Sequence, residues 1–122
     1  MSMCHDPNPA DMERGAYLLL EPHKGLADCA LIVDEKDSAM AQRAGLILSV
    51  QGIVPRLIAV RDFALFERQD EEYRSMVLRK GLSLYAAVSE DCPWIQKTEA
   101  IRFEVQDVNS LANCIKNEYF AE

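Results

Sequence analysis

The sequence predicts an α/β domain built on a mostly parallel, helix-covered sheet. Two observations carry that prediction. Apolar runs of strand length alternate with helical patterns of roughly ten to fifteen residues, which is the signature of βαβ units. One of those runs, Cys29-Ala30-Leu31-Ile32-Val33, is apolar on successive residues, as in strands covered on both faces.

The elements follow in order. Residues 1–14 are polar, contain two prolines and read as a flexible arm, and residues 15–122 read as a single domain. Gly15–Glu21 reads as a short strand closed by the turn Pro22-His23-Lys24-Gly25. After the Cys29–Val33 strand, a helix is predicted from Ser38 to Gln51, capped by Asp37 or Ser38 and ended by Gly52. Met40, Ala44, Ile47, Leu48 and Gln51 mark its stripe, and Gly45 weakens it by about 1 kcal/mol unless close packing requires a glycine. Ile53–Val60 is the next strand, with Pro55 tolerable only near its start. A loop is predicted through Phe66, and then a helix from Gln69 to Gly81. Asp70 caps that helix, acids fill its first turn, and Arg79 and Lys80 fill its last. Leu82–Ser89 reads as a strand and Ala100–Val105 as an edge strand. Asp107 caps a final helix that lines up Val108, Leu111, Ile115 and Tyr119.

Composition bounds the function. The chain has 122 residues, 49% hydrophobic and 27% charged, which suits one soluble globular domain. Thirteen Lys and Arg against 20 Asp and Glu leave a net charge of −7, which disfavours nucleic-acid and anionic-membrane partners. No apolar run is long enough to span a bilayer, and the first residues lack the pattern of a secretory signal. The four cysteines, at 4, 29, 92 and 114, form neither a CxxC pair nor a dense disulfide framework. A reduced, cytoplasmic protein is expected.

The chemistry offered is sparse. The five glycines never stand in a G-x-G spacing, so no dinucleotide fingerprint or P-loop is present. At the start of the first long helix, Asp34, Glu35 and Asp37 place carboxylates where a phosphate would sit. His5 and His23 are isolated, so no metal site is expected. Cys92, before Pro93 and Trp94, has no motif linking it to a histidine. Asp70, Glu71 and Glu72 are explained by capping and by the helix dipole. No catalytic residue is assigned. Any ligand site would lie beyond the carboxyl ends of the parallel strands, where Arg61, Asp62, Ser89 and Cys92 could converge.

The segment Phe66-Glu67-Arg68-Gln69-Asp70-Glu71-Glu72-Tyr73-Arg74-Ser75-Met76-Val77-Leu78 resembles the C-terminal domain of transketolases, with its pattern F-x-x-Q-D-x-x-Y-R-x-x-V-L. The matching positions are Phe66, Gln69, Asp70, Tyr73, Arg74, Val77 and Leu78. Arg14–Leu19 is similar to the family's R-G-G-Y-V-L strand, and Gly52–Val60 to its G-I-x-V-R-V-V-S-M strand. The resemblance covers roughly residues 13 to 90. Two loops depart from it. Val33-Asp34-Glu35-Lys36-Asp37 stands where the family has a strand end and the small-residue turn A-T-G-S-E, and Val88-Ser89-Glu90-Asp91 stands for V-E-A-G. The family's glycine-rich stretch and G-x-S-A-P loop have no counterpart in residues 95–122.

The resemblance implies a three-layer α/β/α fold with a mainly parallel five-stranded sheet whose first strand is antiparallel. It implies a domain that binds no thiamine diphosphate by itself and transfers no ketol unit alone. It also implies an interaction or regulatory module, the third domain or an accessory chain of a thiamine diphosphate enzyme, partnered with itself or with such an enzyme's subunit. The alternative is a small enzyme or ligand-binding protein reusing the scaffold.

Overall fold

The computed structural model describes residues 13–20, 27–78, 83–88, 100–104 and 107–121. Five strands form one sheet: β1 (Ala16–Leu20), β2 (Cys29–Asp34), β3 (Pro55–Val60), β4 (Ser83–Val88) and β5 (Ile101–Glu104), in the order β1-β3-β2-β4-β5. β1 runs antiparallel to β3, and the other pairings are parallel. Among the described residues four α-helices cover the sheet: α1 (Ser38–Val50), α2 (Phe63–Glu67), α3 (Glu71–Val77) and α4 (Val108–Ala121). The three-layer α/β/α arrangement and the antiparallel first strand match the expectation. The proposed arm lies almost wholly outside the described residues.

The unbroken apolar run of β2 is explained by the two layers. Cys29, Leu31 and Val33 point to one side, where Ala41, Ala44 and Leu48 of α1 meet Leu111, Ala112 and Ile115 of α4. Ala30 and Ile32 point to the other, against Phe63 and Phe66 of α2 and Tyr73 and Val77 of α3. A strand flanked by two other strands and covered twice leaves no position for a polar side chain. β3 also lies between two strands, and all six of its residues are buried, Pro55 at its first position and the one polar residue, Arg56, included.

Four local expectations are corrected. The first concerns the start of α1. Asp37 makes no side-chain capping bond; Asp34 instead caps a 3-10 turn over Glu35–Asp37, accepting from the Lys36 amide at 3.2 Å. Ser38 Oγ donates to the Glu35 carbonyl at 2.6 Å, so the turn tightens before the helix begins. The second concerns the stripe of α1, which is centred on Ala41, Ala44, Gly45 and Leu48, while Gln51 is exposed. Small side chains there bring the helix close to β3, with the Gly45 backbone over Leu57 and Pro55.

The third is the loop before Phe66, which contains helix α2. Asp62 caps it by accepting from the Leu65 amide at 3.2 Å. A five-residue helix is too short to show periodicity in sequence. The fourth is the helix predicted to reach Gly81. It ends at Val77, so Arg74 is the basic residue of its last turn, and Arg79–Gly81 lie outside the described residues. Asp70 is its N-cap as predicted, accepting from the Tyr73 amide at 2.8 Å. Asp107 likewise receives the Ser110 amide at 2.9 Å and the Ser110 hydroxyl at 2.7 Å. Those bonds, the amide's foremost, hold its carboxyl below the usual value.

Candidate functional site at the carboxyl ends of the strands

In an open α/β sheet the crevice for a ligand lies beyond the carboxyl ends of the strands, where the chain's order reverses. Here the reversal falls between β2, which leads to β3 on one side, and β4, which leads to β5 on the other. The turn Glu35–Asp37 leaves β2 and the pair Arg61-Asp62 leaves β3. Ser89 and Cys92 follow β4, and both lie outside the described residues, as does Trp94.

Arg61 and Asp62 are both engaged by the fold. Arg61 Nε donates to both carboxylate oxygens of Glu35, at 3.0 and 3.2 Å. The Tyr17 hydroxyl donates to the same carboxylate at 2.7 Å. Glu35 therefore ties three strand ends together: Tyr17 on β1, the turn after β2, and Arg61 after β3. Burial raises the Tyr17 phenol to about 12; its hydrogen bond to the Glu35 carboxylate and that group's negative charge add to the rise, and Arg61 opposes it. Asp62 caps α2, and the backbone amides of Arg61 and Asp62 both donate to the Gly15 carbonyl, at 2.7 and 2.9 Å. Arg61 and Asp62, two of the four residues expected to converge on a ligand, thus hold loops in place.

Glu35 supplies the negative charge at the start of α1, and its hydrogen-bond donors are Tyr17 and Arg61. Among the described residues no group of three or more His, Cys, Asp or Glu is arranged to hold a metal ion. Cys29 is buried, and burial, with the charge of Asp28, pushes its thiol up to about 12, so it is a packing residue. Cys114 is a free, half-buried thiol on α4.

The motif residues form a second cluster, at the junction of α2, α3 and β1. Tyr73 is buried, and its hydroxyl donates to the Ala16 carbonyl at 2.8 Å. The Phe66 ring meets the Tyr73 ring edge-on at 6.2 Å and Phe63 at 5.8 Å. The Arg14 guanidinium lies 4.6 Å over the Tyr73 ring. Gln69 Nε2 donates to the Leu65 carbonyl at 3.2 Å, and Arg74 Nε donates to the Gln69 carbonyl at 3.0 Å. Val77 is buried and Leu78 packs against the same cluster. Each motif residue thus makes a contact within the fold. A shallow depression lined by Glu71, Arg74, Ser75 and Leu78 lies on α3, not at the strand ends.

Sequence reasoning did not find the Tyr17–Glu35 contact. The two residues are 18 positions apart and no motif joins them, so nothing short of the strand order places them together.

Solved structures share this fold. A transketolase from Campylobacter jejuni superposes with a TM-score of 0.74 at 20% identity, covering 93% of this chain and 20% of that one. A transketolase from Pichia stipitis, in complex with xylulose 5-phosphate, gives 0.71 at 22% identity, over 90% of this chain and 16% of that one. The transketolase from Leishmania mexicana gives 0.62 at 18% identity, over 91% and 16%. The fold is that of a transketolase domain. The chain spans a fifth or less of the length of these enzymes. No protein-family model matches the sequence, and no curated protein matches it. Among the described residues, no helix is long and apolar enough to cross a membrane.

Proposed function

We propose that this chain is a divergent transketolase C-terminal-like domain that acts as an interaction or regulatory module in the cytoplasm. In that role it is the third domain or an accessory chain of a thiamine diphosphate enzyme, and it carries out no ketol transfer by itself. The observation that supports this reading is the state of the crevice. Tyr17 and Arg61 converge on Glu35, Asp62 caps a helix, and the motif from Phe66 to Leu78 fastens α2 and α3 to the sheet. A scaffold whose described polar groups after β2 and β3 are engaged within the fold suits a domain that holds other parts together.

The experiment is affinity capture of the chain from its native extract, with mass spectrometry of what accompanies it. Recovery of a thiamine diphosphate enzyme subunit, or of this sequence within a longer chain, is the expected result. Turnover of xylulose 5-phosphate by the purified chain with thiamine diphosphate and Mg²⁺ would overturn the proposal.

A further inference from the structure

Glu35 is held the way a protein holds a free carboxylate. Its Oε2 accepts the Tyr17 hydroxyl at 2.7 Å, and both of its oxygens accept Arg61 Nε, at 3.0 and 3.2 Å. A hydroxyl and a guanidinium converging on one planar anion is a common way to recognise a carboxylate ligand. Tyr17 is only 3% exposed, so its hydroxyl is a donor fixed by the packed sheet and not by a surface loop. The side chains of Glu35 and Arg61 are 34% and 44% exposed, so solvent reaches the pair from outside.

The turn that carries Glu35 does not depend on this side chain. None of its three residues is buried. Its shape is kept by other groups: Asp34 accepts from the Lys36 amide, and Ser38 Oγ donates to the backbone carbonyl of Glu35. Removing the side chain beyond Cβ therefore leaves the turn in place and takes the acceptor away from the Tyr17 hydroxyl. A buried donor stripped of its partner is costly, which favours uptake of a replacement acceptor that fits.

We propose that the Tyr17 hydroxyl and Arg61 form a carboxylate-binding site that the chain fills with its own Glu35, which closes the crevice to a free carboxylate. The Glu35 contact is then autoinhibitory as well as structural. Held in the same chain, Glu35 outcompetes a dissolved carboxylate through its effective concentration. The ligand class follows from the donors. One planar carboxylate satisfies both of them, whereas a phosphate would bring further negative charge towards Asp34 and Asp37 in the same turn. This inference goes beyond the interaction role proposed above and does not rest on it.

The test is chemical rescue. Glu35→Ala removes Cγ, Cδ and both carboxylate oxygens, which together are the heavy atoms of acetate. Thermal melts of the full chain at neutral pH compare acetate, up to about 200 mM, with chloride at equal ionic strength. Glu35→Ala should melt below wild type in chloride. Acetate should raise its Tm by about 2 °C or more, with a half-effect on the order of 10 mM. Wild type and Glu35→Gln, whose sites are filled, should respond by less than about 0.5 °C. Adding Tyr17→Phe to Glu35→Ala keeps the ring in the core but removes the donor, and should raise the acetate half-effect about fivefold or more. A Glu35→Ala chain that folds only in acetate upholds the inference, and one that folds in neither salt overturns it. An acetate response equal in Glu35→Ala and wild type overturns it too, as does a rescue unchanged by Tyr17→Phe. Either result leaves the proposed function to the capture experiment.

Discussion

Among the described glycines, Gly15 is the one the fold constrains most tightly. Its φ is +95°, and a Cβ there would run into the Asp62 carbonyl oxygen and lie 2.5 Å from the Phe66 amide nitrogen. Both obstacles are backbone, so no side chain can rotate away. Gly15→Ala should cost about 3 kcal/mol or more, measured as a fall in the urea midpoint, because conformational strain and overpacking act together. Gly52 also has a positive φ, of 90°, but its missing Cβ would meet nothing within 4 Å, so the same change there should cost only the conformational strain of about 1–2 kcal/mol.

Two buried acids make stability fall at alkaline pH. The Cys29 thiol is raised from 9.0 to about 12 and the Tyr17 phenol from 10.0 to about 12. Both groups hold their protons more tightly when folded, so the native state binds more protons than the unfolded chain above pH 9. Stability is then complete below pH 9 and falls as pH rises towards 12. Urea midpoints measured from pH 7 to 11 should show the decline, and Cys29→Ala should delay its onset to above pH 10, where Tyr17 takes over. A profile unchanged by Cys29→Ala would show that the thiol is not buried as described.

At the scale of elements, caps and glycines make α1 and α3 differ. Asp70→Ala removes the bond to the Tyr73 amide and should cost about 1 kcal/mol in chemical denaturation. Gly45 lies within α1, and a Cβ there would stand 3.4–3.6 Å from side-chain atoms of Leu57 and Pro55, which is ordinary contact. Close packing therefore does not demand glycine, and Gly45→Ala should raise stability by about 0.5–1 kcal/mol through helix propensity. Loss of stability instead would mean that a methyl group does not fit between α1 and Leu57.

The elements legible in sequence were those with long periodicity or a strong cap. β2, β3 and α4 announce themselves by runs and stripes, and Asp70 and Asp107 by position. Helix α2 was hidden because five residues carry no period. The end of α3 is not legible in sequence, because Arg79 and Lys80 suit a helix end while the helix stops at Val77.

For the molecule as a whole, the two cores share the central strands. Ile32 and Ile58 are neighbours across the β2–β3 pairing, both fully buried in the layer under α2 and α3. Truncating either to Ala should cost roughly 2–5 kcal/mol in equilibrium unfolding. Because they are in register, the double variant should depart from additivity by about 0.5 kcal/mol or more, since one cavity adjoins the other. Strict additivity would place them apart.

The sequence by itself determined the alternation of strands and helices, the doubly covered central strands and the absence of nucleotide-binding glycine motifs. These are local properties: a run, a stripe or a spacing is complete within about ten residues. The resemblance to a transketolase domain lay in the same local patterns, and the shared fold bears it out. Tertiary structure alone decided what Arg61, Asp62 and Glu35 do. Their roles depend on which strand ends are neighbours, and β1 reaches Glu35 only because the order β1-β3-β2 brings Tyr17, Arg61 and the turn after β2 together. A side chain that looks free for a ligand when read along the chain is engaged once the sheet closes, because hydrogen bonds and charges pair by distance in space.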